Sequence, residues 1–164
     1  MWLWGVLALV TVQRLGELGL ARRNTKRLLA EGAVEVGAGH YPLFVLLHAS
    51  WLAALAIFTP WTAVPNPWWL GLYVLLQVGR LWVIGSLGRF WTTRIITLPS
   101  APLVRRGPYR FVRHPNYVVA SLEIAVLPLA FGMVWIAAVW TVANALLVWW
   151  RVRIEDRALS GRVW

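Results

Sequence analysis

The chain combines strong hydrophobicity with a large positive charge. Its 164 residues are 60% hydrophobic and 13% charged, and 16 Lys and Arg against 6 Asp and Glu give a formal net charge of +10 at pH 7. Soluble domains carry about 25% charged residues, so the composition excludes a water-soluble nucleic-acid-binding protein. It also excludes a disordered chain, because disorder requires low hydrophobicity. An integral membrane protein with one domain over residues 1–164 is therefore predicted.

Apolar segments along the chain predict an all-α membrane domain of about five transmembrane helices. A spanning helix needs about 20 predominantly apolar residues. The apolar run at 117–150 is long enough for two short helices, and Pro128 and Gly132 interrupt it, which predicts a helical hairpin. The predicted spans are residues 1–20, 43–60, 68–88, 117–130 and 133–150.

The basic residues predict the orientation of these spans. They concentrate in segments 21–40 and 89–116 and in the tail after residue 150, whereas the loop at 60–67 carries no charge. With five spans, all three basic segments lie on one side of the membrane. The positive-inside rule then places the N-terminus outside and the C-terminus in the cytoplasm.

The densest polar segment is RRGPYRFVRHPNY, residues 105–117, at the predicted cytoplasmic end of the hairpin. Its Gly-Pro and His-Pro pairs disfavour a helix and predict a bent backbone with free amide groups. Arg113, His114 and Tyr117 on such a backbone suit a carboxylate or phosphate ligand. The alternative is that these basic residues only anchor the protein at the cytoplasmic surface.

Glu155 and Asp156 form a second polar feature, because they follow the hairpin and return to the same side as the motif. A pair of acids can accept hydrogen bonds from a ribose or attract a cationic group. The alternative is a helical ion pair between Arg151 and Glu155, four residues apart.

Ionisable residues inside predicted spans form a third group. Such residues are costly in a bilayer and usually face the interior of a helix bundle. Arg14 and Glu17 share one helical face, and Glu123 lies six residues after Tyr117, so it can point towards the same cavity as the motif. The alternative for Glu123 is a buried ion pair with Arg80. The members of this group are Arg14, Glu17, His48, Arg80 and Glu123.

The motif, the hairpin behind it and the acid pair resemble the isoprenylcysteine carboxyl methyltransferase family, and in particular its bacterial branch. They are also similar to the related membrane phospholipid N-methyltransferases. The resemblance covers about residues 88–157 and implies that S-adenosylmethionine binds from the cytoplasmic side of a bacterial inner membrane. The cofactor-binding residues that it implies are Tyr109, Arg113, His114, Pro115, Tyr117, Glu155 and Asp156.

The resemblance also implies the second reactant, a lipophilic small molecule or lipidated group that enters from the membrane lipid. We expect methyl transfer to a carboxylate or hydroxyl oxygen, with N-methylation of a phospholipid amine as the alternative, and name Glu123 and Arg151 as candidate catalytic residues. A hydroxyl acceptor benefits from a general base, for which Glu123 and His48 are the candidates. We expect no metal site and no nucleic-acid partner.

Two other interpretations remain open at this point. Membrane sterol reductases, which use NADPH, share an Arg-His-x-Asn-Tyr segment with RHPNY, residues 113–117. The second interpretation is a non-catalytic membrane subunit, in which lysine can replace the arginines of the motif.

Overall fold

The computed structural model describes residues 2–99 and 101–159 and is mostly helical. Short 3₁₀ turns lie at 38–40, 88–90 and 107–110. The longer helices are α1 (Trp2–Ala30), α2 (Tyr41–Phe58), α3 (Pro67–Leu87), α4 (Pro115–Ala130) and α5 (Val134–Leu159). The strands are β1 (Val34–Val36) and β2 (Ile95–Thr97).

The helices follow the predicted spans, with two extensions. Helices α1, α2, α3 and α5 are long and apolar enough to cross a membrane, and α4 is a shorter apolar helix. Helices α1 and α5 continue past the predicted ends at residues 20 and 150, because Arg, Lys, Leu and Ala are strong helix formers outside lipid as well as inside it. The chain is an integral membrane protein whose described part is predominantly α-helical.

The predicted hairpin is present, and its turn lies at one end of the bundle. Gly132 adopts a φ of +73°, which glycine tolerates at no steric cost, and the Met133 amide donates to the Pro128 carbonyl at 2.9 Å. At the same end, the Asn66 side chain accepts from the first amides of α3, a capping contact that starts the helix. The Asn66 amide also donates to the Ala130 carbonyl at 2.7 Å, which ties the α2–α3 loop to the hairpin.

The opposite end of the bundle holds a two-stranded sheet that the sequence analysis did not predict. Strand β1 pairs antiparallel with β2, with Glu35 opposite Ile96. The pairing joins the α1–α2 connection to the α3–α4 connection, and α5 also contacts both strands. The three basic segments therefore meet at one end of the bundle.

The bundle interior contains an apolar core and a group of ionised side chains. Trp51, Leu55 and Leu127 are among the fully buried apolar residues. Beside them lies a charge network, Arg14, Glu17, Arg80 and Glu123, which connects α1, α3 and α4.

Both carboxylates of the charge network are shared between two arginines. The Glu123 side chain is 0% exposed and accepts from Arg80 Nε at 2.7 Å and from Arg14. Glu17 accepts from Arg14 at 2.9 Å and from Arg80 at 3.3 Å. Two cations and two anions balance, which offsets the cost of taking them out of water. The ion pair between Arg80 and Glu123, considered as an alternative from the sequence, is present.

Replacing Glu123 by alanine should lower the free energy of unfolding by about 3–5 kcal/mol, because two guanidinium groups lose their shared acceptor inside the bundle. Unfolding in mixed detergent micelles by titration with SDS measures the change. The matched control is Glu35→Ala, which removes a surface ion pair with Arg94 at 2.9 Å and should cost about 1 kcal/mol or less. Equal loss of stability in the two variants would contradict the role of the charge network.

Candidate active site

The motif segment is fastened to the end of α3. Gly107 has a φ of +58°, and a Cβ atom at this position would lie 2.0 Å from the Ser86 Oγ. The Arg106 Nε donates to the Ser86 carbonyl at 2.7 Å. The sequence predicted a bent backbone for this segment, and the structure adds that the bend brings Gly107 into close contact with Ser86 of α3.

The second proline of the motif starts a helix. Pro115 occupies the first turn of α4, where its fixed φ is favourable and its missing N–H is no loss. His114 precedes the helix and Tyr117 follows within the first turn. Their rings stack with centroids 5.3 Å apart and an interplanar angle of 21°, so the turn sets the orientation of both side chains.

Tyr117 joins the motif to the polar end of α5. Its hydroxyl donates to a Glu155 carboxylate oxygen and accepts from Arg151 Nε at 2.7 Å. Arg151 also donates to the Thr93 carbonyl at 2.9 Å. The direct helical ion pair between Arg151 and Glu155, considered as an alternative from the sequence, is not found among the described residues, and the Tyr117 hydroxyl bridges the two side chains instead. His114 Nε2 lies 3.1 Å from an Asp156 carboxylate oxygen, so both acids of the pair contact the motif.

A cavity of about 170 Å³, here called the motif cavity, opens beside these residues. Apolar side chains of β2, of Leu98 and of residues 101–104 form much of its wall. Burial raises the pKa of the Tyr109 phenol well above its usual value, and the negative charge of Glu155 adds to the shift. Tyr109 therefore stays protonated and neutral. The polar side chains that line this cavity include Tyr109, Arg113, His114, Tyr117, Arg151 and Glu155.

A second cavity of about 300 Å³, the apolar cavity, lies between α1, α2, α4 and α5, with Arg80 of α3 in its wall. Leu15 and Leu18 of α1 and Phe44 of α2 contribute apolar walls. Its polar lining includes three charged members of the charge network and a histidine: Arg14, Glu17, Arg80 and His48.

The two cavities share a wall. The residues that line both are Trp91, Thr92, Asn116, Tyr117 and Arg151. Within the described part of the chain, the Asn116 Oδ1 is buried and has no hydrogen-bond partner, which is unusual for a buried polar atom and suggests a ligand contact. Sequence reasoning had used Asn116 only as a point of similarity to reductases, and nothing local marked Trp91 or Thr92.

The two candidate catalytic residues occupy different surroundings. Arg151 lines both cavities. Among the described residues, Glu123 is not part of either lining, and its carboxylate accepts from Arg14, from Arg80 and from Gln77 at 3.0 Å. An acid whose oxygens are held by two guanidiniums is a poor proton acceptor. The geometry favours the buried ion pair over a catalytic role for Glu123.

The predicted cofactor-binding residues lie together at the motif end of the bundle. Pro115 contributes by starting α4, and Asp156 contributes through its contact with His114. The other predicted residues line the motif cavity directly: Tyr109, Arg113, His114, Tyr117 and Glu155.

Comparison with known proteins adds an independent finding. The sequence profile of the isoprenylcysteine carboxyl methyltransferase (ICMT) family matches residues 69–161. The uncharacterized protein YpbQ of Bacillus subtilis is 36% identical over 161 residues, which cover 96% of each chain. An uncharacterized protein of Haemophilus influenzae is 27% identical over 93% of this chain and 92% of its own length.

A partial match is found to the nickel-cobalt-cadmium resistance protein NccN of Alcaligenes xylosoxydans xylosoxydans. It is 38% identical over 88 residues, which are 52% of this chain and 41% of that protein. No solved structure matches the chain significantly.

The Gly107→Ala substitution should release the motif from α3, because the new methyl group overlaps Ser86 and the left-handed backbone disfavours alanine. We expect faster trypsin cleavage at Arg105 and Arg106, measured by mass spectrometry of the fragments. Gly85→Ala in α3 is the control, since a Cβ atom there meets open space. Unchanged cleavage in Gly107→Ala would show that the close approach to Ser86 does not hold the motif.

Proposed function

The chain belongs to the isoprenylcysteine carboxyl methyltransferase family, and from this membership we propose that it transfers a methyl group from S-adenosylmethionine to an oxygen of a lipophilic acceptor. The observation that carries the proposal is the wall between a motif cavity with charged side chains and an apolar cavity, formed in part by Asn116, Tyr117 and Arg151. Methyl transfer between two bound reactants depends mainly on holding them in line and close together. Two cavities of different polarity with a common wall suit that requirement.

The residues of the motif cavity fit the chemical groups of S-adenosylmethionine. Arg113 and Arg151 suit its carboxylate, because guanidinium groups bind carboxylates in a fixed geometry. Glu155 can accept hydrogen bonds from ribose hydroxyls or from the ammonium group. The apolar side chains of Ile95, Ile96, Leu98 and residues 101–104 suit the adenine ring. When bound, the cofactor supplies a methyl group already activated on a sulfonium.

The protein's own residues then orient the reactants and exclude water. The Asp156 contact and the stack on Tyr117 hold His114 in one orientation. Arg151 is fixed by the Tyr117 hydroxyl and the Thr93 carbonyl, so its charge stays at the shared wall. The apolar cavity admits a lipophilic small molecule or lipidated group from the membrane and keeps bulk water away from the transferred methyl group.

The proposed topology has five membrane crossings, with the N-terminus outside and the active site at the cytoplasmic face of a bacterial inner membrane. The meeting of the basic segments at one end of the bundle, through the β1–β2 pairing, supports this orientation. Helix α4 has 16 residues and is about 24 Å long, somewhat less than the roughly 30 Å hydrocarbon core. One end of α4 is bonded to Asn66 and the other end continues from the motif. These attachments suit a short helix that crosses the membrane with the support of neighbouring segments.

The NADPH-dependent reductase interpretation rests on the RHPNY segment alone. The methyltransferase interpretation has the same segment, the family match over 69–161 and the contact of the acid pair with the motif. Binding of tritiated S-adenosylmethionine and of NADPH to the purified protein in lipid nanodiscs separates the two. We expect the first ligand to bind and the second not to compete, and the opposite result would overturn the methyltransferase proposal.

Within that assay, Arg113→Lys should weaken S-adenosylmethionine binding by about tenfold or more, because lysine cannot reproduce a bidentate guanidinium contact. The control is Arg110→Lys, three residues earlier in the same motif. Among the described residues, Arg110 is outside the lining of the motif cavity and lies at a surface depression that it shares with Phe111, Val112 and Arg113. Its affinity should change less than about twofold, as for a charge-conserving surface substitution. Equal effects in the two variants would favour a purely electrostatic anchor.

A further inference from the structure

The motif segment turns back along α3 before it enters α4. A Cβ atom on Gly107 would lie 2.0 Å from the Ser86 Oγ and 3.1 Å from the Trp82 indole nitrogen. Both contacted residues lie within about 8 Å of the end of α3, a helix long and apolar enough to cross a membrane. Exposed tryptophans near the ends of such helices are typical of the membrane–water boundary, and Trp82 is 56% exposed. The turn at 107–111 therefore lies beside that boundary, at the level of the lipid head groups.

The same turn exposes apolar side chains. Phe111 is 76% exposed and Val112 is 47% exposed. In water, this exposure forgoes the free energy gained by burying an aromatic and an aliphatic side chain. At the level of the head groups, the same side chains can contact the upper parts of the acyl chains. The exposed apolar pair is thus suited to contact with lipid.

The positive charge of the turn has no acid near it in the sequence. The chain contains no Asp or Glu between Glu35 and Glu123. Among the described residues, neither Arg105 nor Arg110 forms an ion pair with an acid. Both arginines lie at a surface depression of about 470 Å³, here called the basic depression. Its lining consists of Arg105, Tyr109, Arg110, Phe111, Val112 and Arg113.

The lining of the basic depression matches a phosphate group that is attached to an apolar chain. Guanidinium groups bind phosphate oxygens through paired hydrogen bonds, and the neutral phenol of Tyr109 can donate another. Inorganic phosphate would use these donors but would leave Phe111 and Val112 in water. A zwitterionic phospholipid would bring its own cation towards the arginines. An anionic phospholipid supplies the phosphodiester, the net negative charge and the acyl chains together.

We infer that the basic depression is a binding site for one anionic phospholipid of the surrounding membrane. Arg105 and Arg110 bind its phosphodiester, and its acyl chains pack against Phe111 and Val112. These four residues are outside the lining of the motif cavity among the described residues, so the inference does not depend on the proposed function.

Lipid binding to the purified protein tests the inference. Phosphatidylglycerol and phosphatidylcholine with identical acyl chains are added to the protein in detergent, and native mass spectrometry counts the bound lipids. The first phosphatidylglycerol should bind about tenfold or more tightly than the first phosphatidylcholine, as expected for two arginines near an anionic head group. The double variant Arg105→Gln/Arg110→Gln should lose this preference. Displacement of the lipid by an equal concentration of inorganic phosphate or of polyglutamate would identify a site for a soluble anion and overturn the inference.

The matched control removes two charges from another basic segment at the same end of the bundle. Arg22 and Arg23 are exposed on the part of α1 that continues past residue 20. Arg22→Gln/Arg23→Gln should keep the preference for phosphatidylglycerol. Equal loss of the preference in the two double variants would show that net charge alone attracts the lipid, which would overturn a site in the basic depression.

A fluorescent label locates the turn relative to the bilayer. The chain contains no cysteine, so Phe111→Cys provides a single position for an environment-sensitive fluorophore. In lipid nanodiscs, nitroxide groups near the top of the acyl chains should quench this label. The control is Ala30→Cys at the exposed end of α1, about 15 Å beyond the predicted end of the first span, where quenching should be weak. Equal quenching at the two positions would contradict contact between Phe111 and lipid.

Discussion

The buried carboxylate of Glu123 is the constraint on which the rest of the structure depends. An ionised acid inside an apolar bundle is stable only when cations reach it, and here Arg14 of α1 and Arg80 of α3 both do. These two ion pairs fix the rotation of α1 and α3 about their own axes and the position of α4 along the bundle. Because the motif begins α4, the same contacts set the position of the motif and its cavity.

Helix α4 connects the Glu123 ion pairs to the candidate active site. Tyr117 lies six residues before Glu123, nearly two turns nearer the motif. Its hydroxyl connects Arg151 and Glu155 of α5, so the hairpin is held by a polar contact at one end and by apolar packing around Leu127 at the other. A rotation of α4 that broke one contact would also disturb the wall between the two cavities.

Much of this arrangement could be predicted from the sequence, because it depends on local signals. Span length, the break at Pro128 and Gly132, and the proline-containing motif are such signals. The three-residue strands were missed because they are too short to show alternation. The second partner of Glu123, Arg14, was missed because contacts between helices depend on rotations that hydropathy does not encode. Trp91 at the shared wall was missed because its position depends on contacts between distant segments, such as the hydrogen bond from Asn24 of α1 to the Trp91 carbonyl at 2.8 Å.

The helices α1 and α2 supply more than half of the residues around the apolar cavity, and both precede the family match at 69–161. The motif cavity, apart from Leu28, is built within the matched region. Under the proposed function, the chain is thus divided into a part for the methyl donor and a part for the lipophilic acceptor. In evolutionary terms, exchanging or remodelling the first two helices would redirect such an enzyme to another lipid while its donor chemistry stayed the same.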